Sequence, residues 1–474
     1  MSIEQLSVER TDEEINAVTN HLQSIGGEWT AMPPDYANLS RESTLRKLDD
    51  IRKVVSQETD VSHALLDDAY ERSVDFTQTS FDQFESKGKN ILGREIDRAF
   101  LVPLRDGINN VSDPLPFHPV LDPGFGVSHE IRRRAVIGVA PSVIDTSFKS
   151  DREGDRGVLI FAPLFSQMID DIRPNKHDQN QTIALMNAGA AIIRATALFA
   201  HEQVGAKVVG LGATLPKMTN YGNALKAIDP ARMENLVTTT GHGGTVFMVV
   251  ETIKKVLEIT PEDDGKLGVI GGAGSIGWSS TVTALEMLQD RKIHTYDFNV
   301  NKLHGNIMEH GLSDQVLPED NALDVLRNTN IIIAAATRPI DLDKEDPLCE
   351  LDLTGKVIID DSQPPCFERS QIERRGGKVV WVVGEDASES EFMTRDGLYT
   401  NGIPYNYGNE EGLYGEKSDF ACGLEAAMIA HFSAFDDAIR GEVTPEKARI
   451  IGRYFTEANV RVAPLQAYSQ PVQI

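Results

Sequence analysis

The chain has 474 residues, of which 41% are hydrophobic and 25% are charged, a composition typical of a soluble globular protein with two or three domains. Its 72 acidic residues outnumber its 46 basic residues and give a net charge of -26, which disfavours binding to nucleic acid and to anionic membranes. Three cysteines without a CxxC motif argue against a disulfide framework and against a cysteine zinc site, so we predict no bound metal.

The first part of the chain is polar and carries no chemical motif. It has neither the apolar core of a signal peptide nor the run of about 18 apolar residues that crosses a membrane, so we expect a cytoplasmic protein. Apolar residues spaced by three and four in STLRKLDDIRKVVSQ predict a helix, whereas the Pro- and Gly-rich LVPLRDGINNVSDPLPFHPVLDPGFG predicts a loop. We therefore predict that residues 1–125 form an N-terminal helical extension and linker, which serves homo-oligomerisation or partner docking.

Residues 126–262 have the pattern of an α/β unit, which we expect to be a substrate domain. GVLIFAPLF and AKVVGLGAT predict buried strands, with the helix QTIALMNAGAAIIRATALFAHEQ between them. The long apolar helix GTVFMVVETIKKVLEI follows. A strand–helix–strand order predicts a parallel sheet covered by helices.

Residues 263–410 predict a second α/β unit, with a doubly wound sheet. Its five apolar runs of strand length are KLGVIG, IHTYDF, NIIIAAAT, GKVIIDD and GKVVWVVG. Residues 411–474 have the spacing of C-terminal helices, which we expect to pack back on the substrate domain.

The stretch KLGVIGGAGSIGWSSTVTAL joins the first of these strands to a helix through a burst of glycines. Gly272, Gly274 and Gly277 have GxGxxG spacing, and a GxxGxxG pattern that starts at Gly271 fits equally well. Glycine lets the backbone approach a pyrophosphate, and the helix N-terminus offers free N–H donors. Asp297 ends the next strand about 20 residues further on, where an acidic residue binds the ribose hydroxyls. The second unit is therefore predicted to be a Rossmann domain that binds a nicotinamide dinucleotide.

The predicted cofactor site has three parts: the glycine turn, the residues after the second strand and the residues after the third. They are Gly271, Gly272, Gly274, Ser275, Ile276, Gly277, Asp297, Phe298, Asn299, Ala336 and Thr337. A carboxylate that faces the ribose repels a 2′-phosphate, so we predict that NADH is favoured over NADPH.

Three stretches resemble, in the same order, the long-chain acyl-(acyl-carrier-protein) reductases of cyanobacteria, which form fatty aldehydes. They are TTTGHGGTVFMVVETI, VIGGAGSIG and DFACGLEAAMIAHF, and the similarity runs from about residue 136 to the C-terminus. The resemblance implies reduction of an acyl thioester, on coenzyme A or acyl carrier protein, to an aldehyde by way of an acyl-cysteine. By matching position, it implies that Cys422 is the nucleophile.

The chain departs from that family at two places. Members that use NADPH tend to have a basic residue just after the second strand, where this chain has Asp297, Phe298 and Asn299. This difference also favours NADH. The loop GHGGT is less bulky than the family's loop, which implies a different pocket.

Cys422 is also a candidate nucleophile on its own chemistry. Ser418 or Asp419 is a suitable N-cap for a helix that begins near Phe420. The thiol would then lie in the first turn, where the helix dipole favours thiolate over thiol. The alternative is that Cys422 is a small buried residue of the helix, as most free cysteines are.

Glu425 and His242 are the remaining catalytic candidates. Glu425 lies one turn after Cys422 on the same helix face and is either a base for the thiol or a salt-bridged helix residue. His242 precedes the long apolar helix and either protonates the aldehyde oxygen or caps the loop.

Three functions are compatible with these features. The first is NAD(P)H-dependent reduction of an acyl thioester to an aldehyde through a cysteine acyl-enzyme. The second is a non-covalent NAD-dependent alcohol or amino-acid dehydrogenase, in which Lys217 or His242 moves the proton and Cys422 only packs. The third is a binding module that senses nicotinamide nucleotide. Iodoacetamide separates the first two, because only the first needs a free thiol.

Overall fold

In the computed structural model the described residues form two compact units, one up to Thr239 and one from Thr240. Most of the predicted linker before residue 126 lies outside the described residues. The structure describes residues 35–36, 40–87, 95–104, 106–108, 111–112, 141–145, 156–166, 179–228, 230–260, 266–287, 291–362, 365–386, 418–468 and 470–474.

The first unit combines helices with a mixed sheet. Its elements are α1 (Arg41–Glu58), α2 (His63–Lys87), β1 (Arg98–Leu104), β2 (Asp106–Ile108), β3 (Val111–Ser112), β4 (Ser142–Asp145), β5 (Gly157–Phe165), α3 (Gln179–Glu202), β6 (Val208–Leu211), α4 (Leu215–Met218), α5 (Asn223–Ile228), α6 (Pro230–Met233) and β7 (Val237–Thr239).

Five of these strands form one sheet in the order β4-β5-β1-β6-β7. Strands β5, β1, β6 and β7 are parallel, and β4 is antiparallel to β5 at the edge. The predicted strands β5 and β6 and the helix α3 between them are confirmed, as is the N-terminal helix α1. Every residue of β5 is buried, as expected for a strand of a covered sheet.

Strand β1 is the central strand of this sheet, although the sequence predicted a loop from Leu101 onward. Proline cannot donate a ladder hydrogen bond and is rare in central strands, so Pro103 indicated a loop. The structure accommodates it because β6 pairs with β1 only as far as Leu101, which leaves Pro103 with one neighbouring strand. The central strand of the first sheet therefore precedes the predicted domain start at residue 126.

The second unit contains the predicted dinucleotide-binding region and the C-terminal helices. Its elements are α7 (His242–Ile259), β8 (Leu267–Ile270), α8 (Ser275–Met287), β9 (Ile293–Tyr296), α9 (Val300–Glu309), β10 (Val316–Pro318), α10 (Ala322–Asn328), β11 (Ile331–Ala334), α11 (Leu342–Glu345), β12 (Val357–Asp360), α12 (Arg369–Glu373), β13 (Lys378–Trp381), β14 (Val383–Asp386), β15 (Ser418–Phe420), α13 (Ala421–His431), α14 (Pro445–Glu457), β16 (Val460–Val462), β17 (Gln466–Ala467) and β18 (Gln470–Pro471).

The large sheet of this unit is a doubly wound Rossmann sheet. Its six strands are all parallel and run in the order β10-β9-β8-β11-β12-β13. The strand order reverses between β8 and β11, and ligands of such sheets bind at the carboxyl ends of the strands at this point. All five predicted strands are confirmed. The edge strand β10 was not predicted, because three residues that end in proline are too short for a periodic pattern.

Helix α7 belongs to the second unit, although the sequence placed the boundary near residue 262. Its first turn packs closely on the C-terminal helices: a Cβ on Gly243 would lie 2.5 Å from Ile439 and 2.9 Å from Ile451. Strands β14, β15 and β16 form a small antiparallel sheet beside these helices. Within the described part of the chain, no helix is long and apolar enough to span a bilayer.

Candidate active site

The glycine turn, Gly271–Gly277, joins β8 to α8. Gly271 has a φ of +92°, and its N–H donates to the carbonyl oxygen of Tyr296 at 2.8 Å. A Cβ on Gly277 would overlap the carbonyl oxygen of Gly271, so this glycine is needed for packing. Gly274 differs, because it is partly exposed and its Cβ would meet only Gly271 at 3.2 Å and Ala335 at 4.0 Å. The backbone at Gly274 is therefore open to a phosphate at the start of α8.

Ser275 and His242 link the N-termini of α8 and α7. The hydroxyl of Ser275 accepts a hydrogen bond from the backbone N–H of Val443 at 2.9 Å, and Nδ1 of His242 lies 3.3 Å from the same oxygen. The hydroxyl can donate to Nδ1 or accept from it, so it suits either tautomer of the neutral imidazole. Burial lowers the pKa of His242 to about 4, so the ring is neutral at neutral pH and is no imidazolium acid.

The residues after β9 contact the glycine turn. The carboxylate of Asp297 accepts hydrogen bonds from the backbone N–H of Ala273 at 2.9 Å and of Asn299 at 2.7 Å. Asn299 in turn is the N-cap of α9 and accepts from the N–H of Lys302. Phe298, between them, is exposed. Asp297 thus occupies the position where an acidic residue binds ribose in Rossmann domains.

The other predicted cofactor residues border the same turn. Ala336 is buried after the end of β11, and its carbonyl oxygen accepts from the hydroxyl of Ser362 at 3.1 Å. Thr337 is exposed, and Ile276 is partly exposed in the first turn of α8. The three predicted parts of the cofactor site therefore lie at the carboxyl ends of β8, β9 and β11.

Cys422 lies in the first turn of α13, against the start of α7. Gly241 is the N-cap of α7, with a φ of +75°. A Cβ on Gly241 would lie 2.5 Å from the Cβ of Cys422, and one on Gly244 would lie 2.6 Å from the carbonyl oxygen of Ala421. Only glycines let these backbones approach so closely. This packing accounts for the glycine-rich GHGG loop, and it brings Cys422 next to the N-terminus of the helix that carries His242.

The predicted N-cap of α13 is wrong. Ser418 and Asp419 lie in β15, where they pair with β14, and the N-cap is Phe420, whose side chain makes no capping hydrogen bond. The Asp419 carboxylate accepts from the N–H of Phe420 at 2.8 Å and would lie 3.4 Å from a Cβ on Gly423. Asp419 therefore faces the first turn of the helix without capping it.

The surroundings of Cys422 favour the thiol, contrary to the expectation from the helix dipole. Burial raises the pKa of Cys422 well above its ordinary value, and the charges of Asp361 and Asp419 raise it further. A hydrogen bond from the backbone N–H of Gly423 works in the opposite direction but is outweighed. The helix N-terminus is present as predicted, yet burial of the thiol and the charges of Asp361 and Asp419 outweigh its effect on the pKa. A nucleophilic Cys422 therefore needs a proton acceptor.

Asp360 and Asp361 form a pair of carboxyl groups at the end of β12. Asp360 is buried and accepts hydrogen bonds from the N–H groups of Ser362 at 2.8 Å and Cys366 at 3.0 Å. Burial raises its pKa to about 7. Burial also raises the pKa of Asp361 well above its ordinary value, and the charge of Asp360 adds to this. Sequence reasoning missed the pair, although two aspartates at the carboxyl end of a predicted parallel strand were a usable signal.

Glu425 makes a structural hydrogen bond, which bears on the two roles that the sequence left open for it. The residue is fully buried in α13, and its Oε2 accepts a hydrogen bond from the backbone N–H of Gly244 at 2.7 Å. A carboxylate at a helix N-terminus is stabilised by the unpaired N–H groups and the dipole. Glu425 thus connects the first turn of α7 to α13 by a hydrogen bond. Among the charges that raise the pKa of Cys422, that of Glu425 has the smallest effect.

Other candidates receive less support. Lys217 lies in α4 of the first unit with an exposed side chain. Cys349 is exposed on the loop after α11, whereas Cys366 is fully buried. A search of the described residues finds no group of three or more His, Cys, Asp or Glu side chains that could hold a metal ion.

Comparisons with known proteins give partial similarities to solved structures at low sequence identity. No protein-family model matches the sequence, and no curated protein matches it. The chain is similar to L-tryptophan dehydrogenase from Nostoc punctiforme, with 12% identity, a TM-score of 0.33, and coverage of 78% of this chain and 81% of that chain. It is also similar to D-mandelate dehydrogenase from Rhodotorula graminis, with 12% identity, a TM-score of 0.23, and coverage of 60% of this chain and 80% of that chain. A third similarity is to an imine reductase from Bacillus cereus BAG3X2, with 17% identity and a TM-score of 0.19. It covers 26% of this chain and 44% of that chain, so this chain spans less than half of that protein.

Proposed function

We propose that this protein is a nicotinamide-dependent oxidoreductase that reduces an acyl thioester, on coenzyme A or acyl carrier protein, to an aldehyde. The observation that carries the proposal is the position of Cys422. It lies in the first turn of α13, packed on the left-handed Gly241, and within electrostatic range of Asp361 at the carboxyl edge of the Rossmann sheet. The resemblance of three sequence stretches to aldehyde-forming reductases supports the same function.

The dinucleotide would be held by the glycine turn and the loops beside it. The N–H groups at the start of α8 are suited to the pyrophosphate, because the backbone at Gly274 is open. Asp297 is suited to the ribose hydroxyls. When bound, the reduced nicotinamide supplies a hydride to the acyl carbon, so that thioester, NADH and a proton become aldehyde, free thiol and NAD⁺.

Cys422 forms and breaks the covalent bond in this proposal. Its sulfur attacks the thioester carbonyl carbon, and the carrier thiol leaves with a proton to give an acyl-cysteine. Backbone N–H groups at the start of α13 stabilise the oxyanion. The N–H of Gly244 is already bound to Glu425, which favours α13 over the GHGG loop for this task. After reduction, the carbon–sulfur bond of the thiohemiacetal breaks, the aldehyde leaves and Cys422 is regenerated.

Asp361 is the group that we assign as proton acceptor for Cys422. Its charge contributes to the raised pKa of the thiol, and a carboxylate with a raised pKa is a stronger base than an ordinary one. Asp361 then passes this proton to the sulfur of the departing carrier thiol, and the solvent proton of the overall reaction restores the Cys422 thiol after the aldehyde leaves. The neutral His242 remains a hydrogen-bond partner of Ser275 and takes no part as a charged acid.

The raised pKa of Cys422 also favours a second candidate, a non-covalent alcohol or amino-acid dehydrogenase. In that enzyme Cys422 would stay a thiol and only pack against Gly241. The two functions are separated by incubating the protein with NADH and a panel of acyl-coenzyme A and acyl-carrier-protein thioesters. Aldehyde release in a one-to-one ratio with NADH oxidation supports the thioester reductase. Reduction of NAD⁺ by alcohols or amino acids, without turnover of any thioester, supports the dehydrogenase.

The pH dependence of alkylation tests the electrostatics of Cys422. We expect its reaction with iodoacetamide to accelerate about tenfold per pH unit from about pH 7 to about pH 9 without levelling off, because only the thiolate reacts and its pKa is raised. A Cys349→Asn background removes the exposed thiol, and asparagine tolerates the φ of +54° there. Cys366 does not compete because it is fully buried.

In the same background, Asp361→Asn should change alkylation and acyl transfer in opposite directions. Alkylation should become faster, because a neighbouring negative charge is removed, whereas acyl transfer should become slower, because the proton acceptor is lost. If both reactions slowed by the same factor, Asp361 would be structural and our assignment would be wrong.

Cofactor preference should follow from Asp297. We expect the kcat/KM for NADH to exceed that for NADPH by about tenfold, because the carboxylate repels a 2′-phosphate in a partly desolvated site. Asp297→Asn keeps an acceptor oxygen for the N–H of Ala273 and should reduce this ratio. Equal or better use of NADPH by the unaltered protein would contradict the assignment of Asp297.

A further inference from the structure

Arg338 lies on the loop after β11 and contacts the loop after β9. Its guanidinium carbon is 4.9 Å from the centroid of the Phe298 ring, a cation–π distance. Phe298 is 47% exposed, although it is a large apolar residue, and its ring packs edge-on against Tyr296 at 5.4 Å. In the sheet, β8 lies between β9 and β11, so the glycine turn after β8 is flanked by these two loops. The contact between Arg338 and Phe298 therefore connects the loops on either side of the glycine turn.

The charges of Arg338 and Asp297 both act on the side chain of Tyr296, in opposite directions. The pKa of Tyr296 is raised by burial and by the charge of Asp297, and Arg338 counteracts the increase. Lys302, a second cation near this loop, is engaged with Glu442 at 2.6 Å. The ribose position thus has an anion, Asp297, that is hydrogen-bonded to the glycine turn, and an exposed cation, Arg338, that approaches from the opposite loop.

We propose that Arg338 binds the 2′-phosphate of an adenosine dinucleotide, so that this protein accepts NADPH as well as the favoured NADH. A guanidinium can donate two parallel hydrogen bonds to a phosphate and can stack on an aromatic face at the same time, and Phe298 provides such a face. Asp297 serves the 2′-hydroxyl of NADH, and Arg338 offsets its repulsion when a 2′-phosphate is present. This inference rests on the dinucleotide site proposed above.

Arg338 does not occupy the position from which a basic residue usually selects NADPH. A basic residue directly after the second strand would be visible beside Asp297 in the sequence, and Phe298 and Asn299 occupy those positions instead. Arg338 comes from a different loop, and only the fold brings it to Phe298. The sequence ATRP, in which Arg338 follows the predicted cofactor residues Ala336 and Thr337, was the one available signal.

The test is calorimetric binding of ADP-ribose and of 2′-phospho-ADP-ribose to the full chain, which needs no turnover. Arg338→Met should weaken binding of the phosphorylated ligand by about tenfold and that of ADP-ribose by less than about threefold, because one exposed bidentate ion pair is lost. Arg338→Lys should recover part of the affinity, since lysine keeps the charge but not the planar fork. Lys302→Met is the matched control and should leave both ligands within about threefold, because its ammonium group is paired with Glu442.

Each other outcome overturns the inference in an identifiable way. Equal weakening of both ligands by Arg338→Met would show that the residue stacks on the adenine and does not recognise phosphate. Unchanged binding of both ligands would show that Arg338 has no part in the site. Failure of the unaltered protein to bind the phosphorylated ligand, with ADP-ribose bound, would refute the role of Arg338 but keep the dinucleotide site. Failure to bind either ligand would refute the site itself.

Discussion

Replacement of Cys422 by alanine is expected to abolish aldehyde formation, with a loss of at least about a thousandfold in turnover, because the proposed acyl-cysteine cannot form. Binding of NADH should change by less than about threefold, since Cys422 packs on Gly241 and the groups proposed to hold the dinucleotide are other residues. The measurement is steady-state aldehyde release together with fluorescence titration of NADH.

Two further variants make this result specific. Cys422→Ser should be nearly as inactive as Cys422→Ala, because a hydroxyl is a far weaker nucleophile than a thiolate and Asp361 is a weak base for it. Cys366→Ser, at a buried position outside the proposed reaction, should retain turnover if it folds, and its thermal unfolding reports whether it does. Near-normal turnover by Cys422→Ala would show that hydride transfer needs no acyl-cysteine. The non-covalent dehydrogenase would then be the favoured function.

Alanine at Gly277 should lower stability, whereas alanine at Gly274 should weaken dinucleotide binding with little loss of stability. A Cβ on Gly277 would overlap the carbonyl oxygen of Gly271, a backbone atom that cannot move independently. Gly277→Ala should therefore lower the free energy of unfolding by about 1–3 kcal/mol and weaken dinucleotide binding as a consequence. A Cβ on Gly274 would lie 3.2 Å from the Gly271 oxygen and 4.0 Å from the Ala335 oxygen, so this variant should keep most of its stability.

The loss in Gly274→Ala should instead appear in binding. A methyl group at the start of α8 occupies the space where a pyrophosphate approaches the backbone, so we expect affinity for ADP-ribose to fall by about tenfold or more. Urea unfolding and calorimetry on both variants separate the two effects. A Gly274→Ala variant that binds ADP-ribose normally would show that the pyrophosphate does not lie on this turn.

The sequence predicts the Rossmann sheet well because its strands and turns have local signals. Its strands are continuous apolar runs, and the glycines mark a turn whose geometry excludes side chains, as at Gly277. Strand β1 was missed because its position in the centre of the first sheet depends on non-local pairing with β5 and β6, while Pro103 indicated a loop. The boundary before α7 was missed for a similar reason, since the contacts of Gly243 with Ile439 and Ile451 join segments that are distant in the chain.

The candidate site shows the same division between local and non-local information. The first-turn position of Cys422 is a local property and is confirmed, whereas the direction of its pKa shift was wrong. That shift depends on burial and on the charge of Asp361, a residue about 60 positions away in the sequence whose effect on the thiol arises only in the folded unit. Glu425 likewise could not be assigned from spacing, because its partner, the N–H of Gly244, lies on another helix.

The most direct test of the proposed chemistry is the intact mass of the protein after incubation with an acyl-coenzyme A thioester in the absence of any dinucleotide. We predict a mass increase of one acyl group, located by peptide mapping on the segment that contains Cys422, and its absence in Cys422→Ala. Subsequent addition of NADH should release the acyl group as aldehyde and restore the original mass. An unmodified chain that nevertheless forms aldehyde once NADH is added would contradict the cysteine acyl-enzyme.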